Sequence, residues 1–282
     1  MPVLTIGKRM FDLNERTLIM GILNVTPDSF SDGGRFGSVD AAVEHALKMI
    51  EEGADIIDIG GESTRPKGVY EGTRSISAEE EMNRVIPVIE RLSALTDVPL
   101  SIDTTKSVVA EAALRSGASM VNDISGLKFD PQMAGTAARF NAVLAVMHIQ
   151  GTPETMQIDP VYSDVVAEVK EELSRSVEQA RAAGVTQIII DPGIGFGKTL
   201  DHNLILLQHL REFETLGLPI LIGTSRKGFI GTILDLPVDQ RLEGTAASVA
   251  VSIMHGANIV RVHDVNAMKR VALVTDAIKR KR

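Results

Sequence analysis

Met20–Gly34, reading MGILNVTPDSFSDGG, is the stretch on which the interpretation of the whole chain turns. It belongs to an apolar strand, Leu18 to Leu23, that runs straight into Asn24 and then into a loop of Thr, Pro, Asp, Ser and Gly. A buried strand that ends in a cluster of hydrogen-bonding groups turns those groups toward water or a ligand at its C-terminal end. The strand is scaffold and the loop is site.

Apolar runs of the same kind recur outward from this one, near residues 18–23, 55–60, 98–102, 118–122, 143–147, 186–190, 218–222 and 257–262. Segments with the helical period lie between them. In the first, Val43, Ala46, Leu47 and Ile50 share a face and Gly53 stops the helix. The second opens with Ser77 and Glu80 at capping-box spacing, buries Met82, Val85, Ile86, Ile89 and Leu92, and is expected to kink at Pro87. Further helices are predicted over 106–116, 131–140, 163–183, 201–214, 240–255 and 266–279. Runs such as IIDIG (56–60) and PILIG (219–223) are nearly continuous in apolar character, as parallel strands covered on both faces require. Eight βα units close a barrel without remainder, whereas an open doubly wound sheet more often carries fewer strands. The predicted fold is α/β: one (β/α)8 TIM barrel domain over 1–282, preceded within 3–17 by a short β-hairpin turning at Gly7-Lys8.

Composition narrows the function. With 282 residues, 44% hydrophobic and 23% charged, the chain can bury a large core. It contains no Cys, which excludes disulfides and thiolate metal sites. The start, MPVLTIGKRMF, has no long apolar segment and no run reaches the length of a membrane span, so a soluble cytoplasmic protein is expected, without a membrane partner. A net charge of -8 argues against non-specific nucleic-acid binding, so an anionic ligand must meet a local cationic pocket. The basic end IKRKR reads as a solvated helix end that complements the helix dipole.

In a TIM barrel the active site lies at the C-terminal ends of the strands. The polar residues just past each run are Asn24; Glu62, Ser63, Thr64 and Arg65; Asp103; Asn122 and Asp123; Met147 and His148; Asp191; Ser225, Arg226 and Lys227; and Arg261 with His263. An Asp ahead of a helix is often only an N-cap, which is the bland reading for Asp103 and Asp123 taken singly. Asp103, Asn122, Asp191 and Lys227 together suit a flat heterocycle with amino and carbonyl edges. Arg65, Arg261 and His263, with Asn24 nearby, offer donors for an anion and an oxygen for a hard metal such as magnesium.

Other motifs fail. The run Gly193–Thr199, GIGFGKT, lacks the first glycine of a Walker loop because Pro192 stands there, and it is not the dinucleotide pattern because residue 198 is Lys. The six His residues contain no HExxH pair, and His45, His202 and His209 fall in helical segments and read as surface. Lys227 as a Schiff-base lysine remains an alternative, with the position several residues beyond its strand against it.

The segments MGILNVTPDSFSDGG, DIIDIGGESTRP, SIDTTK, VNDISG, VMHIQGTPETMQ, IIIDPGIGFGKT, PILIGTSRKGFIG and IVRVHDV resemble the dihydropteroate synthases, in that family's order and over essentially the whole chain. The resemblance implies condensation of 6-hydroxymethyl-7,8-dihydropterin diphosphate with p-aminobenzoate, giving 7,8-dihydropteroate and pyrophosphate, with magnesium (Mg2+) as cofactor. It implies that Asp103, Asn122, Asp191 and Lys227 hold the pterin and that Met147 and Phe196 line its pocket. Asn24, Arg65, Arg261 and His263 would serve the diphosphate, Asn24 also the metal, and Phe30, Thr64, Pro66 and Ser225 would form the p-aminobenzoate end. The catalytic set is then Asp32, Arg65, Lys227, Arg261 and His263. An aryl amine is already nucleophilic at neutral pH, so the demanding step is departure of diphosphate, which calls for cations and a nearby carboxylate rather than a nucleophile triad. One departure is visible: Lys67 stands where the family usually has Gly, and Lys67–Ser75 lengthens the second loop.

Two rivals share the heterocycle. A pterin-binding methyltransferase should lack the NVTPDSFSDGG and ESTRP loops, and a catalytically silent paralogue should have lost Asp32, Arg65, Lys227 or His263; all are present. The apolar, small-residue run Gly244–Met254, GTAASVAVSIM, predicts a homodimer built on the last helices, with packing inside the protomer as the alternative.

Overall fold

In the computed structural model, which describes residues 3–26, 34–62 and 75–279, the eight apolar runs form the eight strands of one sheet. The chain opens with the hairpin: β1 (Val3–Ile6) pairs antiparallel with β2 (Arg9–Asp12) across Gly7-Lys8. The parallel strands follow as β3 (Leu18–Asn24), β4 (Ile56–Gly60), β5 (Leu100–Asp103), β6 (Met120–Asp123), β7 (Val143–Met147), β8 (Ile188–Asp191), β9 (Leu221–Ile222) and β10 (Ile259–Val262). β10 returns to lie beside β3, with Arg261 level with Met20. Between β8 and β9 a parallel bridge joins Ile190 to Ile220, and the Ile190 amide donates to the Pro219 carbonyl at 3.0 Å, so the sheet closes on itself.

The helices are α1 (Gly34–Glu51), α2 (Ala78–Leu95), α3 (Ser107–Arg115), α4 (Met133–Arg139), α5 (Val165–Ala182), α6 (Leu200–Gln208), α7 (Gly228–Leu234), α8 (Leu242–Met254) and α9 (Val265–Lys279) among the described residues. The Ser77 hydroxyl caps α2 by accepting from the Glu80 amide at 3.1 Å, and the helix stays continuous through Pro87. Its buried face includes Val88 and, unexpectedly, Glu81, whereas Met82 and Ile86 are only half-buried. The helix predicted over 201–214 ends instead at Gln208 and passes into a 3-10 segment, Leu210–Leu216. The short α7 has no counterpart in the sequence prediction, because its seven residues are too few to show a helical period.

Alternation along the strands separates two cores. Ile19, Ile57, Ile102, Val121, Val146, Ile190 and Val260 point outward and pack under the helices. Residues of the other parity, among them Leu18, Met20, Ile56, Met120, Ala145, Ile189 and Ile259, point inward and form one cluster with Leu4, Ile6, Phe11 and Leu13 of the hairpin. The hairpin therefore stoppers the N-terminal end of the barrel. Each fully buried Ile or Leu contributes about 2 kcal/mol, and the filled interior leaves no pore. Among the described residues no helix is long and apolar enough to cross a membrane.

Candidate active site

The inward parity that is apolar at the bottom of the barrel becomes polar at the top. Register sets Asn24 level with Gly60, Gly60 with Asp103, and Asp103 with Asn122, while across the barrel Met147 is level with Asp191. Three residues predicted for the heterocycle or the metal, Asn24, Asp103 and Asn122, thus stand on one tier, and Met147 and Asp191 stand two residues further along their strands. Gly60, with no side chain, keeps the tier open beside Asp103.

Arg261, rising from β10, crosses this tier. Its Nε donates to Asp58 at 2.6 Å and its Nη2 to Asp103 at 2.7 Å. Burial opposes its charge, but Asp58 and Asp103 outweigh that and hold its pKa above the ordinary arginine value. The Asp103 carboxyl is pushed up to about 7, chiefly by burial, with Asp58 adding repulsion and Arg261 countering. The heterocycle group and the anion group of the sequence reading therefore meet at Arg261. The carboxylate beneath it, Asp58, was not among the candidates: it is fully buried and also accepts from Asn122 Nδ2 at 3.0 Å. A charge inside an otherwise apolar strand, IIDIG, is the signal that could have found it.

Asp191 ends β8, and its Oδ1 accepts from the Gly193 amide at 2.7 Å. Gly193 has φ +71°, and a Cβ there would lie 1.9 Å from the His148 carbonyl oxygen, so only glycine lets the loop turn under Asp191. Burial raises the Asp191 pKa, while Lys227 pulls the other way. Lys227 caps α7, donates to the Ile194 carbonyl, and holds its ammonium 4.6 Å from the centre of the Phe196 ring. Burial lowers its pKa to about 8 against the attraction of Asp191. Phe196 packs on Ile124, Met147, Ile149 and Met156, which makes an apolar wall beside these polar groups.

The turn before Lys227 is clamped. Arg226, at φ +57°, donates from Nε to Asp264 at 3.0 Å and so points away from Lys227 into an ion pair. Ser225 accepts from the His263 amide at 3.2 Å and lies 3.0 Å from His263 Nδ1. The Ser225 hydroxyl can donate to Nδ1 or accept from it, according to the His263 tautomer, and either way it fixes the plane of the imidazole.

Several census residues serve structure instead. Asp123 accepts from the Ser125 amide at 2.8 Å, the Ser125 hydroxyl at 2.6 Å and the Leu127 amide at 2.8 Å, which braces the turn after β6 rather than capping a helix, since α4 begins only at Met133. Glu62 pairs with Lys106, whose Nζ also reaches the buried Glu81 at 2.6 Å. His148 is buried with Nδ1 2.9 Å from Lys198 Nζ; burial first, then Lys198 and Lys128, push its pKa down to about 2. Lys198 is itself buried, its pKa well below the usual lysine value because of that burial. A lysine in a glycine-rich run gave no sequence signal of being interior.

Asn24, the residue predicted for the metal, stands half-buried at the end of β3 with an amide oxygen that can ligate a hard cation. No group of three or more His, Asp or Glu that could hold a metal occurs among the described residues. Magnesium keeps several waters and is commonly held through one or two protein oxygens plus substrate phosphates, so a single amide oxygen fits it. Phe30, Asp32, Ser63, Thr64, Arg65, Pro66 and Lys67 lie outside the described residues.

Comparison with known proteins agrees with this geometry. The family model described as "Pterin binding enzyme" matches residues 20–263. A dihydropteroate synthase from Synechocystis sp. is 50% identical over 282 residues, covering 99% of this chain and 96% of its own. A crystal structure of dihydropteroate synthase from Clostridium difficile in the presence of pteroic acid superposes with TM-score 0.89 at 47% identity, covering 95% of this chain and 99% of that one. A Xanthomonas albilineans dihydropteroate synthase with 4-aminobenzoic acid gives TM-score 0.90 at 43% identity, covering 99% and 98%.

Proposed function

The chain belongs to the dihydropteroate synthase family, and on that premise we propose how its residues divide the work of condensing 6-hydroxymethyl-7,8-dihydropterin diphosphate with p-aminobenzoate in folate biosynthesis. The aryl amine nitrogen attacks the pterin methylene carbon, the bond from that carbon to the diphosphate oxygen breaks, and the new arylammonium gives up a proton as pyrophosphate leaves. No protein nucleophile is needed. The protein has to hold the ring, neutralise the departing pyrophosphate and shield the methylene carbon.

Asp103, Asn122, Asp191 and Lys227 hold the pterin by its hydrogen-bonding edges, with Met147 and Phe196 against its face. The observation that carries this assignment is the gathering of these groups at one end of the barrel, Asp103 level with Asn122, Asp191 level with Met147 two residues further on, and Lys227 above the Phe196 ring. Arg261, anchored below by two carboxylates, lies between ring and diphosphate, and His263 serves the diphosphate together with Arg65. Asn24 would hold Mg2+ by its amide oxygen, and the bound ion would supply charge neutralisation for the leaving group. Asp32 is assigned to steady the positive charge that develops on the methylene carbon. Phe30, Thr64 and Pro66, with Ser225, receive p-aminobenzoate.

This reading places one catalytic domain over 1–282 in the cytoplasm, as a homodimer. Gly244 is explained within the protomer, since a Cβ there would lie 2.3 Å from Ile230 Cγ2. Val251 on α8 and Leu273, Val274 and Ile278 on α9 are exposed nonetheless, and a second copy would cover them. The test of the function is the mass of the product made by the purified chain from the pterin diphosphate, p-aminobenzoate and magnesium: dihydropteroate is expected, and its absence would overturn the reading.

A further inference from the structure

We infer that Asp58 is the positioning residue of the pterin tier: its carboxylate fixes the plane of the Arg261 guanidinium and the orientation of the Asn122 amide. The inference rests on the assignment of that tier to the pterin ring. Asp58 lies within the barrel, fully buried, on a strand whose other side chains are apolar. One oxygen, Oδ2, takes both Arg261 Nε at 2.6 Å and Asn122 Nδ2 at 3.0 Å, while the buried Oδ1 has no partner among the described residues. A buried carboxylate kept for stability alone would have both oxygens satisfied, and at this depth Met120 and Val143 on other strands fill the interior without charge. The half-satisfied group is better explained by what it does to its two partners.

Each partner has an ambiguity that Asp58 removes. A guanidinium held by one carboxylate can swing about it, but Arg261 is fixed at two points, Nε on Asp58 and Nη2 on Asp103, which define its plane. A primary amide has nearly the same shape with oxygen and nitrogen exchanged. A carboxylate accepts only, so Nδ2 of Asn122 must face Asp58 and its oxygen must face the opposite way. The tier then presents a defined order of donors and acceptors. Asp58 acts through these two residues and does not itself touch the ring.

The experiment uses the full chain, with 6-hydroxymethylpterin as probe in calorimetry and both substrates in steady-state kinetics. Asp58→Asn should weaken probe binding by about tenfold or more and raise KM for the pterin diphosphate, while KM for p-aminobenzoate moves by less than about twofold. In a double-mutant cycle with Asn122→Ala, the pair should bind within about threefold of the weaker single variant, because one route is lost either way. Fully additive losses, or an Asp58→Asn protein that binds within about twofold of the unsubstituted one, would overturn the inference. Should Asp58→Asn not fold, arginine side-chain NMR of the unsubstituted protein decides. The Arg261 Nε–H, assigned through Arg261→Lys, should exchange far more slowly than that of exposed Arg175, and equal exchange would overturn the clamp. An unsubstituted protein that binds no pterin removes the underlying assignment as well, whereas binding by the unsubstituted protein with an indifferent Asp58→Asn removes only this inference.

Discussion

Asp191→Asn keeps the shape of the side chain and removes its charge, and its effect can be worked from two contacts. Oδ1 is held by the Gly193 amide at 2.7 Å, so the asparagine must keep its carbonyl oxygen there, because an NH2 in that place would set donor against donor. The NH2 is then turned toward the ring, where the carboxylate had an acceptor for ring N–H groups. Losing a hydrogen bond to a charged acceptor costs about 2 kcal/mol, and leaving a ring donor opposed adds about 1 kcal/mol more. Lys227 also loses the carboxylate that supports its cation against burial, which adds to the loss in the same direction. Pterin affinity should fall by about 3 kcal/mol, roughly 150-fold, by isothermal calorimetry at neutral pH. The fold should survive, since the variant still accepts from Gly193. A variant with native circular dichroism that bound pterin within about threefold of the unsubstituted protein would refute the pairing of Asp191 with the ring.

Other outcomes follow from neighbouring features. With Lys227 near pKa 8, its cation is present below that pH and lost above it, so pterin affinity should weaken roughly eightfold from pH 7.5 to 9 for a single site; Lys227→Met should be flat over that window, and a flat unsubstituted profile would contradict the donor role. Gly193→Ala forces a Cβ to 1.9 Å from the His148 carbonyl, so the thermal midpoint should drop by several degrees and pterin binding with it; an unchanged midpoint would mean the loop is not packed as described. Light scattering at micromolar concentration should give the mass of a dimer, and a monomer mass would refute the apolar α8–α9 surface as a subunit contact. p-Aminobenzoate should bind more tightly once pyrophosphate and magnesium are present, because Arg65 then has an anion to pair with; equal affinity in the two titrations would count against that account. Removing Asp32 should slow turnover more than it weakens binding of the pterin diphosphate.

The barrel was legible because strands covered on both faces must be apolar along their length, and runs such as PILIG are difficult to read otherwise. Asp103, Asn122, Asp191 and Arg261 were legible because each ends, or nearly ends, such a run. Pairing was not: that Arg261 reaches Asp58 and Asp103 depends on three registers, β10 on β3, β3 on β4 and β4 on β5, and no spacing in the sequence encodes their sum. Lys198 and Glu81 stayed hidden for another reason. Charge in a sequence ordinarily signals exposure, and only their partners, His148 for one and Lys106 for the other, make their burial tolerable.

The hairpin stopper has a consequence for traffic. Leu4, Ile6, Phe11 and Leu13 seal the lower end, so the barrel is a vessel with one mouth, and whatever lies deepest in it arrives before, and departs after, everything stacked above. On the proposed assignment the pterin ring takes the deepest berth. Its partner cannot be loaded beneath it, and the ring carries the newly joined aryl group out ahead of it through the opening by which both came.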